Sequence, residues 1–335
     1  MKELDFNRIR NIVNGFSRAK VLVVGDLILD EFIWGEVTRI SPEAPIPVVH
    51  VKSESFIPGG ACNVAANIRS MQGKVQVSGV IGKEGRGRML IDLLRDAQIG
   101  VTGVVKDPLR PTILKTRVIA HKQQVVRIDR EKLVPLKASM RNKVLSFIRK
   151  RIQSVDAICI EDYGKGVITP ELVKSIVDLA DKYDKIITVD PKDDHLLYYK
   201  GVTTITPNHH EASALAQIDI KDDVSLKKAG AKLLKILKCK QVLITLGESG
   251  MCLFQKGFKP VKIPTLAQDV FDVSGAGDTV IGTYTLALAR GAMPIEAAHL
   301  ANCAAGIVVG KLGTATVSQN ELLDKMKSVI RSHEQ

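Results

Sequence analysis

Eight consecutive residues in the C-terminal third, 272–279 (DVSGAGDT), have the types and spacing that phosphate chemistry requires. Gly275 and Gly277 carry no Cβ, so the backbone can curl tightly at the start of the apolar, helix-like segment that follows (Val280, Ile281, Tyr284, Leu288). The amides of Gly275, Ala276 and Gly277 can then point at one anion, and the helix dipole adds attraction. Asp278 falls in the first turn beside that hole, where a carboxylate can take the proton from a hydroxyl attacking a bound phosphate. A bare G-x-G-D also serves as a helix cap; the longer string favours the chemical reading. A second constellation, Gly59-Gly60-Ala61-Cys62-Asn63, opens a helical pattern whose core face is Val64, Ile68 and Met71. Asn63 and Asn67, at i and i+4, share another face, and two amides beside a Gly-Gly turn suit the hydroxyls of a sugar. A glycine turn with a capping Asn accounts for the same residues.

The elements that must position these groups alternate. Short β-branched apolar runs at 20–25 (KVLVVG), 156–160, 185–189, 202–205 and 241–246 read as strands buried on both faces. Helical patterns cover 170–183, 224–237, 276–290, 294–309 and 318–332. This alternation predicts an α/β fold, doubly wound, with a mostly parallel sheet covered by helices on both faces. Segments 31–52 and 111–130 break the rhythm with extended runs, the latter two joined by His121–Lys122. They predict a small inserted β-sheet forming a lid over a ligand crevice. With no repeat, linker or low-complexity tract, residues 1–335 read as one domain.

Composition narrows the function. Lys and Arg exceed Asp and Glu by 48 to 36, a net charge of +12, which favours anionic partners. Aromatics are only 4% and the basic residues are spread along the chain, so no nucleic-acid partner is expected and phosphorylated small molecules fit better. No apolar run approaches the ~20 residues of a membrane span, and the N-terminus lacks a secretory core. The expectation is a cytoplasmic protein with no membrane partner. The five cysteines are odd in number and widely spaced, which argues for buried thiols rather than disulfides or zinc. A dinucleotide-dependent oxidoreductase would need G-x-G-x-x-G after the first strand, but Gly25 is followed by Asp26-Leu27-Ile28. No Walker-type G-x-x-x-x-G-K-[ST] occurs.

DVSGAGDT, PGGACNVAAN (58–67) and the lid together resemble the ribokinase-like (PfkB) sugar kinases, over about residues 20–318. The resemblance includes Asn208-His209-His210-Glu211, similar to the family's N-x-x-E motif, and residues 245–250 (TLGESG) on its nucleotide side. Within the family, RISPEAPIPVV (39–49), VRIDRE (126–131) and DYGKG (162–166) resemble the kinases of ADP-heptose synthesis. Those kinases phosphorylate O1 of D-glycero-β-D-manno-heptose 7-phosphate and feed the lipopolysaccharide core. With no H-x-G-H nucleotidyltransferase motif present, the stand-alone kinase form is expected, working with a separate nucleotidyltransferase.

The resemblance implies roles as well. Asp278 is the general base, and the 275–277 amides stabilise the transferring phosphoryl group. ATP and Mg²⁺ are the implied cofactors, with K⁺ as a further candidate and Asp272 supporting the loop or that cation. Asn208 and Glu211 would organise Mg²⁺ through water, and Lys192 contacts phosphate or is simply a surface lysine. Thr245, Gly247, Gly250 and Asn302 flank the nucleotide. Asp30, Gly59, Gly60, Asn63 and Asp162 face the sugar, and Arg39, Arg117, Arg127 and Lys165 are candidates for its 7-phosphate. Family members pair their lids, so a homodimer through the β-lid is expected. The alternatives are a related kinase for another sugar or a nucleoside, and a non-catalytic sugar or nucleotide sensor.

Overall fold

The computed structural model describes residues 4–121, 123–267, 270–311 and 313–334. Its strands, in chain order, are β1 (Lys20–Gly25), β2 (Leu27–Ile40), β3 (Pro47–Gly60), β4 (Lys74–Ile81), β5 (Gly100–Lys106), β6 (Ile113–Ala120), β7 (Gln123–Arg130), β8 (Ala157–Glu161), β9 (Ile186–Asp190), β10 (Thr204–Ile205), β11 (Gln241–Thr245), β12 (Met251–Gln255) and β13 (Val261–Ile263). Nine of them form one sheet in the order β13-β12-β11-β10-β9-β8-β1-β4-β5. The strands from β11 through β5 run parallel, and only the β11–β12 and β12–β13 pairings are antiparallel.

Burial on both faces follows from strand alternation. Val21 and Val23 of β1 join a core cluster with Val64, Ile68, Ile281 and Leu300, whereas Leu22 and Val24 join a second with Leu172, Ile176, Leu226 and Leu233. Helices therefore cover each side of the sheet, which is the doubly wound, ribokinase-like architecture expected. The helix at Pro170–Tyr183 matches the predicted bounds; Thr169 caps it by accepting from the Leu172 N–H, and proline stands in its first turn. Strands β4, β5 and β13 were not anticipated. In β4 the sequence KVQVSGVI interleaves polar and small residues that read as a surface run until neighbours pair with both edges. The five cysteines are buried and unpaired.

The lid is a four-stranded sheet, β3-β2-β6-β7. Its strands extend beyond the expected segments: β2 begins at Leu27 and β3 ends at Gly60, so the lid grows directly out of the core. The first five residues of β2 are buried accordingly. Lys122 of the expected turn between β6 and β7 lies outside the described residues. Close approach requires glycine at 59, where a Cβ would stand 2.1 Å from Asp30 Oδ2.

The turn after β8 is held by one carboxylate. Asp26, fully buried just past β1, accepts the backbone N–H groups of Tyr163 (3.1 Å), Lys165 (3.0 Å) and Val167 (3.1 Å). Burial raises its pKa to about 6, against the pull of those three donors. Asp26→Ala strands all three donors in the interior and is expected to lower stability by ~2–5 kcal/mol in urea denaturation followed by circular dichroism. A loss under ~0.5 kcal/mol, the range of an ordinary surface substitution, would contradict this account.

Candidate active site

The helix Ala276–Ala289 starts from Gly275, whose φ of 77° is left-handed and favours glycine. A Cβ there would also lie 2.8 Å from Asn63 Nδ2. Of the three expected anion-binding amides, that of Ala276 is spent: it donates to the Val273 carbonyl at 3.2 Å. Those of Gly275 and Gly277 make no backbone hydrogen bond among the described residues, and the space over Gly277 is open except for Asp190 Oδ2 at 3.9 Å. Asp272 supports the loop from below, accepting from Ser274 N–H (2.8 Å) and Gly313 N–H (3.2 Å).

Asp278 is only 4% exposed. Its Oδ2 accepts from Asn63 Nδ2 at 2.5 Å and its Oδ1 from the Tyr163 hydroxyl at 3.4 Å. Burial raises its pKa to about 6, while those two donors favour the carboxylate and oppose the rise. Asn67, the other amide of the pair, binds the Asn63 carbonyl and accepts from Thr279, so it braces the two helices rather than facing a ligand.

Glu161 and Asp190 end the adjacent strands β8 and β9, and with Asp278 they offer three carboxylate oxygens within 4.8 Å of one another. Glu161 Oε2 is buried with no hydrogen-bond partner, and burial beside Asp190 and Asp278 pushes its pKa well up. Hard oxygen donors with an orphaned atom among them fit a divalent cation. The expected pair, Asn208 and Glu211, stands nearby but is largely occupied. Asn208 Oδ1 accepts from His210 N–H and Glu211 N–H, while Glu211 Oε2 accepts from Asn208 N–H, a capping box for the helix His209–Ala216. Asn208 thus has its side-chain oxygen committed, whereas Glu211 is close enough to raise the pKa of Asp190. Lys192 pairs with Asp193 at 2.5 Å, within the field of Glu211.

On the lid side, Asp30 Oδ1 pairs with Arg117 at 2.5 Å, and Arg117 also lies over the Phe32 ring. Lys165 pairs with Glu131 at 2.7 Å, and Arg127 clasps Asp129 through two nitrogens. Gly60 turns with φ 57°, where a Cβ would meet the Asp26 carbonyl. Two expected sugar-side residues lie elsewhere. Both oxygens of Asp162 are taken, by Gly164 N–H, His195 and the Tyr199 hydroxyl, so it anchors the turn instead. Arg39 is exposed near the far end of β2, roughly 30 Å beyond Asp30 at ~3.3 Å per residue.

A cavity of about 500 Å³ opens on the other side of Gly277. Thr245, Gly247, Gly250 and Asn302 all line it, together with Val280 and Val309. Asn302 donates to the Pro264 carbonyl at 2.7 Å, fixing its amide in the wall. Gly250 is obligatory: φ is 84° and a Cβ would lie 2.1 Å from the Ile263 carbonyl. Gly277 thus lies at the junction of this cavity and the carboxylate cluster.

Residues 18–321 match the model of the pfkB family carbohydrate kinases. This chain belongs to that family. By family it is a carbohydrate kinase, a phosphotransferase. It is 46% identical over 310 residues to the bifunctional protein HldE of Desulfatibacillum aliphaticivorans, covering 92% of this chain and 63% of that one. It is 44% identical over 320 residues to HldE of Geobacter metallireducens, covering 95% and 65%. The chain thus spans just under two thirds of the length of these relatives. Among solved structures it is similar in fold to phosphofructokinase-2 of Escherichia coli in complex with potassium (TM-score 0.78, 20% identity, 93% and 99% covered). It is also similar to Arabidopsis thaliana ribokinase with ribose and ATP (0.73, 19%, 92% and 99%).

Five residues gathered here escaped sequence reasoning: Asp26, Glu161, Tyr163, Asp190 and Lys115, whose Nζ lies over the Tyr163 ring. Glu161 and Asp190 had a usable signal, since each is an acid closing an apolar run that reads as a parallel strand, the end where such sheets bind ligands. The other three owe their places to contacts far apart in sequence. For the kinase, the Asp278 carboxyl is expected to titrate near pH 6 by ¹³C NMR. Asn63→Ala, which removes a donor that favours the charged form, is expected to move that midpoint higher. An unchanged or lower midpoint in the variant would contradict the assignment.

Proposed function

We propose that this kinase transfers the γ-phosphoryl group of ATP to O1 of D-glycero-β-D-manno-heptose 7-phosphate, giving the 1,7-bisphosphate. The observation that carries this reading is 42–46% identity to HldE proteins over 92–95% of the chain, in a sequence whose 39–49, 126–131 and 162–166 strings resemble the heptose-phosphate kinases. The site chemistry supports it. Asp278 is buried beside the open amide of Gly277 and stands between the nucleotide cavity and the lid, where a general base belongs. Asn63 and Tyr163 aim its carboxylate, and Asp30 offers an oxygen to the sugar hydroxyls. The Gly277 amide and the helix dipole favour negative charge on the phosphoryl group in flight.

Glu161 and Asp190, with Glu211 beside them, would hold Mg²⁺. That ion supplies charge neutralisation across the phosphates. The lid strands expose Trp34, Val51, Val126 and Ile128, and we assign them to contact with a second copy, making a homodimer. An anomeric phosphate is the acceptor class that nucleotidyltransferases consume, which fits a separate enzyme downstream.

The direct test is Mg²⁺-dependent ADP release with the heptose 7-phosphate beside ribose, fructose 6-phosphate and adenosine. Turnover is expected on the heptose alone, and turnover on another acceptor in its place would overturn the substrate assignment. Asp278→Asn is expected to lower kcat by about 10²–10⁴-fold. Because the base must be ionised, kcat/KM is expected to rise as pH passes through about 6 and then level off. A flat profile from pH 5 to 8 would remove Asp278 from that role.

A further inference from the structure

Among the described residues, Lys115, Arg117 and Arg127 of the lid and Lys165 of the turn after β8 stand with three carboxylates, Asp30, Asp129 and Glu131, and pairing leaves one of these cations over. Arg117 is held by Asp30, Arg127 by Asp129 and Lys165 by Glu131. Lys115 sits in register between Asp30 of β2 and Asp129 of β7, but both neighbours are already claimed by arginines. Among the described residues Lys115 makes no ion pair. Its Nζ lies over the Tyr163 ring, 4.7 Å from the centroid.

The opposite edge of that aromatic ring carries the hydroxyl that bonds Asp278. Strand alternation puts Lys115 on the same face as Arg117, the face that reaches Asp30, while Thr116 between them turns to the buried Glu31. A sugar with its reacting hydroxyl at Asp278 would lie along Tyr163 and bring its far substituents to Lys115. An unpaired, half-buried ammonium is costly where it stands, and Lys115 accordingly has a lowered pKa, chiefly from desolvation and opposed by Asp30. An incoming dianion repays that cost at Lys115, whereas the charges of Arg117, Arg127 and Lys165 are already countered by Asp30, Asp129 and Glu131.

We infer that Lys115 is the specificity-determining residue that binds the phosphate group of the acceptor sugar, ahead of the three neighbouring cations already tied to carboxylates. This rests on the reading of the acceptor as a phosphorylated sugar. It departs from the expectation that Arg39, Arg117, Arg127 or Lys165 takes that group.

The test compares Lys115→Met and Lys115→Arg with the unmodified kinase on two acceptors, D-glycero-β-D-manno-heptose 7-phosphate and the same heptose without its phosphate. In Lys115→Met, KM for the phosphorylated acceptor is expected to rise about 10–100-fold, the worth of one charge-assisted contact, with kcat within a few-fold and KM for ATP unchanged. The preference for the phosphorylated acceptor should shrink by a similar factor, and Lys115→Arg should restore most of it. A folded Lys115→Met kinase that keeps the KM and the preference would overturn the role of Lys115 alone. An unmodified kinase that shows no preference for the phosphorylated acceptor would overturn the acceptor reading, and this inference with it.

Discussion

The Asp26 carboxylate is the constraint on which the site depends. It lies where β1 ends and the lid begins, and it collects three backbone N–H groups from the turn after β8. That turn supplies Tyr163 to Asp278 and Lys165 to Glu131, so one buried acid sets the distance between the helix terminus and the lid. Asp162 braces the same turn from the other side through His195 and Tyr199. A donor on a loop is precise only when the loop's own backbone groups are satisfied, and here nearly every one within reach has a partner.

Electrostatics divides the site into two halves of opposite sign. Glu161, Asp190 and Asp278 crowd the sheet side, where burial raises the pKa of all three and repulsion from neighbouring carboxylates adds to the rise for Glu161 and Asp190. On the lid side Arg117, Arg127 and Lys165 are each paired with a carboxylate, and Lys115 lies over the Tyr163 ring with no ion pair among the described residues. On the proposed reading, the phosphoryl group passes between a carboxylate-rich wall and a basic one, with the Gly277 amide at the junction. Phosphoryl transfer asks little more of a protein than this placement of charge.

Much of the fold was legible because the signals are local. β-Branched runs with no polar face can only be buried strands, and the glycines of DVSGAGDT need no partner to make a helix-start anion hole. The lid was legible as an interruption, although its strands proved longer because pairing holds Gly35 and Ser53–Ser55 extended where composition alone suggests a loop. Strand β4 was missed for the same reason, its small and polar residues being strand-like only between two neighbours.

The sequence by itself determined the fold class and singled out the glycine string at 272–279, the proposed base and Asn63, all from residue types within a few positions of each other. Only the tertiary structure decided which charges face which. Asn63 meets Asp278 across 215 positions and Arg117 meets Asp30 across 87. It also showed Asp162 and Asn208 hydrogen-bonded within the scaffold, Glu161 and Asp190 gathered beside Asp278, and Lys115 without an ion pair among the described residues. The reason is physical: a side chain's type fixes what it can bind, but its free valence depends on what has already satisfied it, and that is a property of the packed molecule.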